Sequence, residues 1–155
     1  LEYNGSWTAV PGTLNVGRGQ INGTGSGTQT ACITAGGQAA PGASNSSEEY
    51  DGTNWTATPN LNTARGGIMM NAEGSTSSAI VAGGPGSAAT EIYDGSAWTT
   101  SGNMAANRDS GGSGGTGSAM WVAAGSPSSP SNAAPARTAE AFTVITSTTQ
   151  TLSVS

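Results

Sequence analysis

The chain has 155 residues, 25 of them glycine and 7 proline, with 34% hydrophobic and 8% charged residues and a net charge of −5, far from average globular composition. Four arginines with no lysine or histidine leave no cationic cluster for nucleic acid or an anionic membrane, and no run approaches the roughly 18 apolar residues of a membrane span. Leu, Ile, Val and Phe make up about 11% of the chain, under the roughly 20% below which disorder is the default, yet the high net charge that completes that signature is missing.

A repeat decides the class. Glu2-Tyr3-Asn4-Gly5-Ser6-Trp7-Thr8 returns as Glu49-Tyr50-Asp51-Gly52-Thr53-Asn54-Trp55-Thr56 and again as Ile92-Tyr93-Asp94-Gly95-Ser96-Ala97-Trp98-Thr99. Tyr3, Tyr50 and Tyr93 are spaced by 47 and 43 residues, and Arg18, Arg65 and Arg108 keep the same two offsets. Ile33-Thr34-Ala35-Gly36-Gly37 likewise recurs as Ile80-Val81-Ala82-Gly83-Gly84 and, weakened, as Trp121-Val122-Ala123-Ala124-Gly125. Three markers in constant order define a repeat of this length.

Within the central unit, Ile68 to Asn71 and Ser78 to Ala82 are short small-or-apolar runs bounded by glycine, and Thr90 to Tyr93 and Ala97 to Thr100 are two more around Asp94-Gly95, which predicts about four strands per unit. Asn-Gly or Asp-Gly between the Tyr and the Trp predicts a tight hairpin, because glycine supplies the left-handed backbone position. The double glycine is expected where backbones crowd and no side chain fits. No segment carries a useful helical period. The connection from the double glycine to the next aromatic is uneven, with 13 steps from Gly37 to Tyr50, 9 from Gly84 to Tyr93 and 17 from Gly125 to Phe142. Insertions therefore gather at one point of the repeat, a place that in stacked architectures commonly forms a binding face.

A unit of this length with an internal strand ending in Gly36-Gly37 or Gly83-Gly84, then Tyr50 or Tyr93, then Trp55 or Trp98, resembles the kelch repeat of β-propellers. The Gly/Ser/Thr-rich style is similar to propeller modules of phage fibres and other virion proteins. The resemblance implies an all-β fold of four-stranded blades packed face to face, with Tyr3, Trp7, Tyr50, Trp55, Tyr93 and Trp98 as inter-blade fillers. It divides the single repeat domain 1–155 into a half blade at 1–10, blades at 16–58 and 63–101, and a degenerate terminal blade at 106–155 in which Phe142 replaces the Tyr. This is too few blades for a closed ring, so the fold is expected to be incomplete as a single chain. Leu1 to Val10 is expected to form two outer strands that pair with the C-terminal strands of the same chain, with a neighbouring chain or with sequence upstream.

Arg18, Arg65 and Arg108 are candidate ligand-binding residues, as forks suited to carboxylates or acidic sugars; the competing expectation is that each pairs with a carboxylate such as Asp51 or Asp94, or stacks on a Trp. Trp121 lies outside the Trp column and either fills the last core or stands exposed as a contact residue. Cys32, alone in the chain, reads as a small buried hydrophobe.

No catalytic residue is assigned. The missing imidazole and amine remove the commonest general bases and metal ligands, and Glu49, Asp51, Glu91 and Asp94 sit at repeat positions rather than as a lone catalytic pair. No metal or redox cofactor is expected. The functional expectation is a non-enzymatic structural or adhesion module, extracellular or on a virion surface, with host attachment through a surface glycan as a candidate role and other copies of itself or a larger assembly as partners. An assembly element without a ligand is the alternative; the loops Gln38 to Ser47 and Ser126 to Ala136 carry no aromatic and no charge, which favours assembly or a very weak glycan contact. A fragment of a carbohydrate-active propeller enzyme is a third reading.

Overall fold

Strands of two to five residues, separated by glycine-bearing turns, carry the whole architecture. The computed structural model describes residues 2–3, 5–21, 26–71, 75–126 and 139–144. Among these there is no helix, and every strand pairing is antiparallel; the protein is all-β.

A short hairpin comes first, β1 (Glu2–Tyr3) against β2 (Trp7–Thr8). The first four-stranded sheet is a meander of β3 (Ser26–Thr28), β4 (Ala31–Ala35), β7 (Ser47–Tyr50) and β8 (Trp55–Thr58), with a small hairpin, β5 (Gln38–Ala39) and β6 (Gly42–Ala43), in its long connection. The second sheet repeats the meander as β9 (Met69–Met70), β10 (Ala79–Ala82), β11 (Thr90–Tyr93) and β12 (Trp98–Ser101). The third pairs β13 (Gly112–Thr116), β14 (Ala119–Ala123) and β15 (Ala139–Thr143). Its register places Phe142 opposite Met120. The segments after Val144 and between Ser126 and Ala139 lie outside the described residues, as does Asn4.

The expected Tyr–Trp hairpins form twice in the same register. Tyr50 opposes Trp55 and Tyr93 opposes Trp98, with ring centroids 5.1 and 5.0 Å apart and tilted by 32° and 31°, the offset geometry that aromatic pairs favour. Each turn is tied by its aspartate. Asp51 Oδ1 accepts the amides of Thr53 and Asn54, and Asp94 Oδ1 accepts those of Ser96 and Ala97, while Gly52 and Gly95 take φ of +93° and +92°.

The sheets stack through two apolar layers, and the pleat sorts residues between them. Ile33 and Ala35 of the first sheet meet Met70, Ala79, Val81, Tyr93 and Trp98 of the second, together with Leu61 and Ile68 from the strap that joins the two sheets. Met69, Ile80 and Ala82 on the opposite face of the second sheet meet Met120 and Val122 of the third, with Ile92 and Phe142 packed beside them. Strand β10 is therefore covered on both faces, and Ala79, Ile80, Val81 and Ala82 are all buried. A strand covered on both faces reads as a continuous apolar run.

The packing also corrects three expectations. Trp7 is 68% exposed, because its hairpin has only two strands and no sheet of its own to press the ring against a neighbour. Trp55 is half-buried, whereas Trp98 is 5% exposed: Trp98 faces the first sheet, and among the described residues only the two-stranded hairpin β1–β2 comes before the sheet of Trp55. Cys32 is half-buried for the same reason, although burial still raises the pKa of its thiol.

Candidate functional site

The charged residues of the repeat converge on one buried cluster per unit. Arg65 is 5% exposed and forms an ion pair with Glu91, and its Nη1 donates to the carbonyls of Gly83 at 3.2 Å and Ala89 at 2.9 Å. Arg108 is 2% exposed; its Nε and Nη2 donate to Glu140 Oε1 at 3.1 and 2.9 Å, and its Nη1 to the Ala124 carbonyl at 2.9 Å. Arg18 pairs with Glu48 at 3.1 Å with its side chain fully covered. The guanidinium groups are thus committed inside the sheets and are not presented to solvent as a ligand-facing ring. Their partners are Glu48, Glu91 and Glu140, not Asp51 and Asp94, whose carboxylates are engaged in the hairpin turns.

The second carboxylate oxygen is also occupied. Glu91 Oε2 accepts the backbone N–H of Asn62 at 2.8 Å and its side-chain amide at 2.9 Å, and that amide also reaches the Trp98 carbonyl at 2.8 Å. Asn15 repeats all three bonds toward Glu48 and Trp55, at 2.7, 2.9 and 2.8 Å. In the third unit Ala105 stands in the Asn position and only the backbone bond survives, from its N–H to Glu140 Oε2 at 2.6 Å. That amide, followed by the Arg108 contacts, holds the Glu140 carboxyl below the usual carboxylate range.

Sequence reading placed Glu91 at a repeat position but did not pair these glutamates and asparagines with the arginines, although the signal is present. A Glu precedes Tyr50, Tyr93 and Phe142 by two residues, and an Asn precedes Arg18 and Arg65 by three. Alternation in a strand places residues i and i+2 on one face, so Glu48, Glu91 and Glu140 belong to the same face as the aromatic.

Arg65 and Arg108 also join two sheets through their backbone. The Arg65 carbonyl accepts the Gly37 amide at 3.0 Å, and the Arg108 carbonyl accepts the Gly84 amide at 2.9 Å. This is why the residue before each of those amides is glycine: Gly36 and Gly83 have φ of +64° and +77°, and a Cβ on Gly36 would lie 2.7 Å from the Arg65 carbonyl oxygen. The third unit keeps the conformation with a side chain present, since Ala124 has φ of +58°.

Trp121 is 49% exposed; it does not fill the last core. It lies across Gly114, its partner in the β13–β14 register, beside an open recess of about 270 Å³ lined by Thr116, Met120, Ala141, Phe142 and Thr143. A second open groove, of about 450 Å³, brings together Thr30, Glu49, Tyr50, Asp51, Thr56 and Thr76. In that region the Tyr93 hydroxyl donates to Glu49 Oε1 at 3.3 Å across the two sheets. Burial first, then the Glu49 charge, raises the pKa of the Tyr93 phenol. The described residues contain no group of three or more His, Cys, Asp or Glu side chains that could hold a metal ion. No family model matches the chain, and no curated protein matches it.

Proposed function

We propose that the chain is a non-enzymatic structural module of the kelch-propeller kind, a rigid stack of blades that belongs to an extracellular or virion-surface assembly such as a tail fibre. The observation that supports this reading is the fate of the charges. The arginine and glutamate of every unit are spent on clusters that hold a strap against its own sheet, and Arg65 and Arg108 also join neighbouring sheets through their carbonyls. A chain that commits its scarce charges this way is built for rigidity.

Two roles follow from such a scaffold. In adhesion, the exposed Trp121 would stack on a surface glycan, with Thr116 and Thr143 beside it as hydroxyl partners. In assembly, the exposed faces would be covered by other copies. The β5–β6 connection favours assembly, because its loop offers no aromatic or charged group to a ligand.

Two measurements test this. Electron microscopy of the intact particle should show these sheets arranged as blades about an axis; sheets laid side by side in a flat layer would overturn the propeller reading. A glycan array probed with the purified chain separates the roles: binding that Trp121→Ala abolishes establishes adhesion, and an empty array leaves assembly. Hydrolysis of any arrayed glycan would overturn the non-enzymatic assignment.

A further inference from the structure

We infer that the chain binds a second copy of itself head to tail, with the Trp121 face of the third sheet seated on the outer face of the first sheet. The inference rests on the assembly side of the proposed function and names the surfaces involved.

Both internal interfaces are built alike. The β4 or β10 strand of one sheet turns Ile33 and Ala35, or Ile80 and Ala82, toward the next sheet, and all four are 3% exposed or less. The register of repeat markers puts Trp121 and Ala123 in those positions on β14, where Trp121 is 49% exposed and Ala123 half-buried. The third sheet thus presents the same face, partly open to solvent.

The receiving half is also present. In the second sheet, Leu61, Ile68, Ala79 and Trp98 receive that face and are 2%, 1%, 0% and 5% exposed. Their counterparts in the first unit, Leu14, Ile21, Cys32 and Trp55, are all half-buried. Leu61 and Ile68 press against Gly36 of the sheet before them, so Leu14 and Ile21 are placed to press against Ala124 of another copy.

The backbone clasp does not extend to this contact. Gly37 and Gly84 donate to the carbonyls of Arg65 and Arg108. Gly125, the third member of that series, has no backbone acceptor among the described residues, and the Arg18 carbonyl has no backbone donor there. Ala124 carries a Cβ where Gly36 and Gly83 leave no room for one beside the arginine carbonyl, so the two copies meet through their apolar faces and not through a third clasp. Such a heterologous contact closes into a ring if the rotation per copy allows and otherwise extends as a fibre.

Sedimentation of the full chain between about 1 μM and about 1 mM tests the inference. The expected result is concentration-dependent assembly of the wild type. Trp121→Glu and Leu14→Glu should each weaken it by at least about tenfold, as loss of a central apolar anchor does. Because each variant keeps one intact face, an equimolar mixture should form a 1:1 dimer that grows no further. Circular dichroism matching the wild type confirms that each variant is folded, and Ile21→Glu substitutes for Leu14→Glu if that one is not. A wild type that assembles while the mixture stays monomeric would overturn the head-to-tail contact and leave assembly standing. A wild type that is monomeric throughout would overturn both.

Discussion

Glu91 is a buried carboxylate whose partners all come from the strap before its sheet. Its carboxylate is 2% exposed and accepts from Arg65 and from Asn62 twice, so removing it leaves a buried guanidinium without its counter-charge. Glu91→Ala is expected to cost about 3–5 kcal/mol in urea unfolding, the usual penalty for breaking a buried pair from one side. Glu140, at 23% side-chain exposure, is partly screened by solvent, and Glu140→Ala should cost clearly less. Equal losses would show that burial does not govern these clusters. Ala124 provides a test of opposite sign. It holds φ of +58°, a region in which a Cβ is strained, at the position where the other units have Gly36 and Gly83. Ala124→Gly should stabilise by about 0.5–1 kcal/mol, the relief of strain exceeding the added entropy of the unfolded chain. A destabilisation would mean that the alanine methyl contributes packing there.

The hairpins show how one motif acquires different weight in different surroundings. β7–β8 and β11–β12 share their Tyr–Trp register, their Asp turn and nearly identical ring geometry. Yet only β12 lies against a complete sheet. Trp98→Ala should therefore cost about 3–5 kcal/mol, as large-to-small changes in a core do, and Trp55→Ala a smaller amount because that ring is only partly covered. Thermal or urea unfolding of the two variants decides this, and a larger cost at Trp55 would contradict the packing. The inter-sheet contacts vary in the same way. Where Glu49 meets the Tyr93 hydroxyl between the first two sheets, the second and third sheets bring Ile92 and Phe142 to the same apolar layer. Loss of the hydroxyl on one sheet is matched by loss of the carboxylate on the other, so neither is left buried without a partner.

For the whole molecule, pH sets the stability window from both ends. The Asp51 carboxyl is lowered chiefly by the Asn54 and Thr53 amides, Asp94 chiefly by the Ser96 hydroxyl, and Glu140 chiefly by the Ala105 amide. Groups with lowered folded values stabilise fully above the ordinary carboxylate range and lose that contribution as pH falls through it. Tyr93 is raised, first by burial and then by Glu49, so its contribution is complete below the ordinary phenol value and is lost as pH rises past it. Melting temperature should fall below about pH 4 and above about pH 10. Tyr93→Phe should flatten the alkaline limb, and an unchanged slope there would remove Tyr93 as its cause.

The all-β class, the repeat and the strand positions were legible because they depend on local rules. Asp-Gly turns fix hairpins within a few residues, and the predicted runs at 68–71, 78–82, 90–93 and 97–100 lie within two residues of β9 to β12 at either end. The double glycine was also readable as a place of crowding, since the absence of a side chain is itself the signal. What lies in the crowded space was not. The arginine partners depend on which strand face meets which strap, and the pairs span 30, 26 and 32 residues through connections of unequal length, so no constant spacing points to them. Burial of a repeated aromatic likewise escaped the sequence. Trp7, Trp55 and Trp98 occupy one motif position, and only the presence or absence of a neighbouring sheet, a property of the tertiary structure, makes one of them core, one half-wet and one exposed.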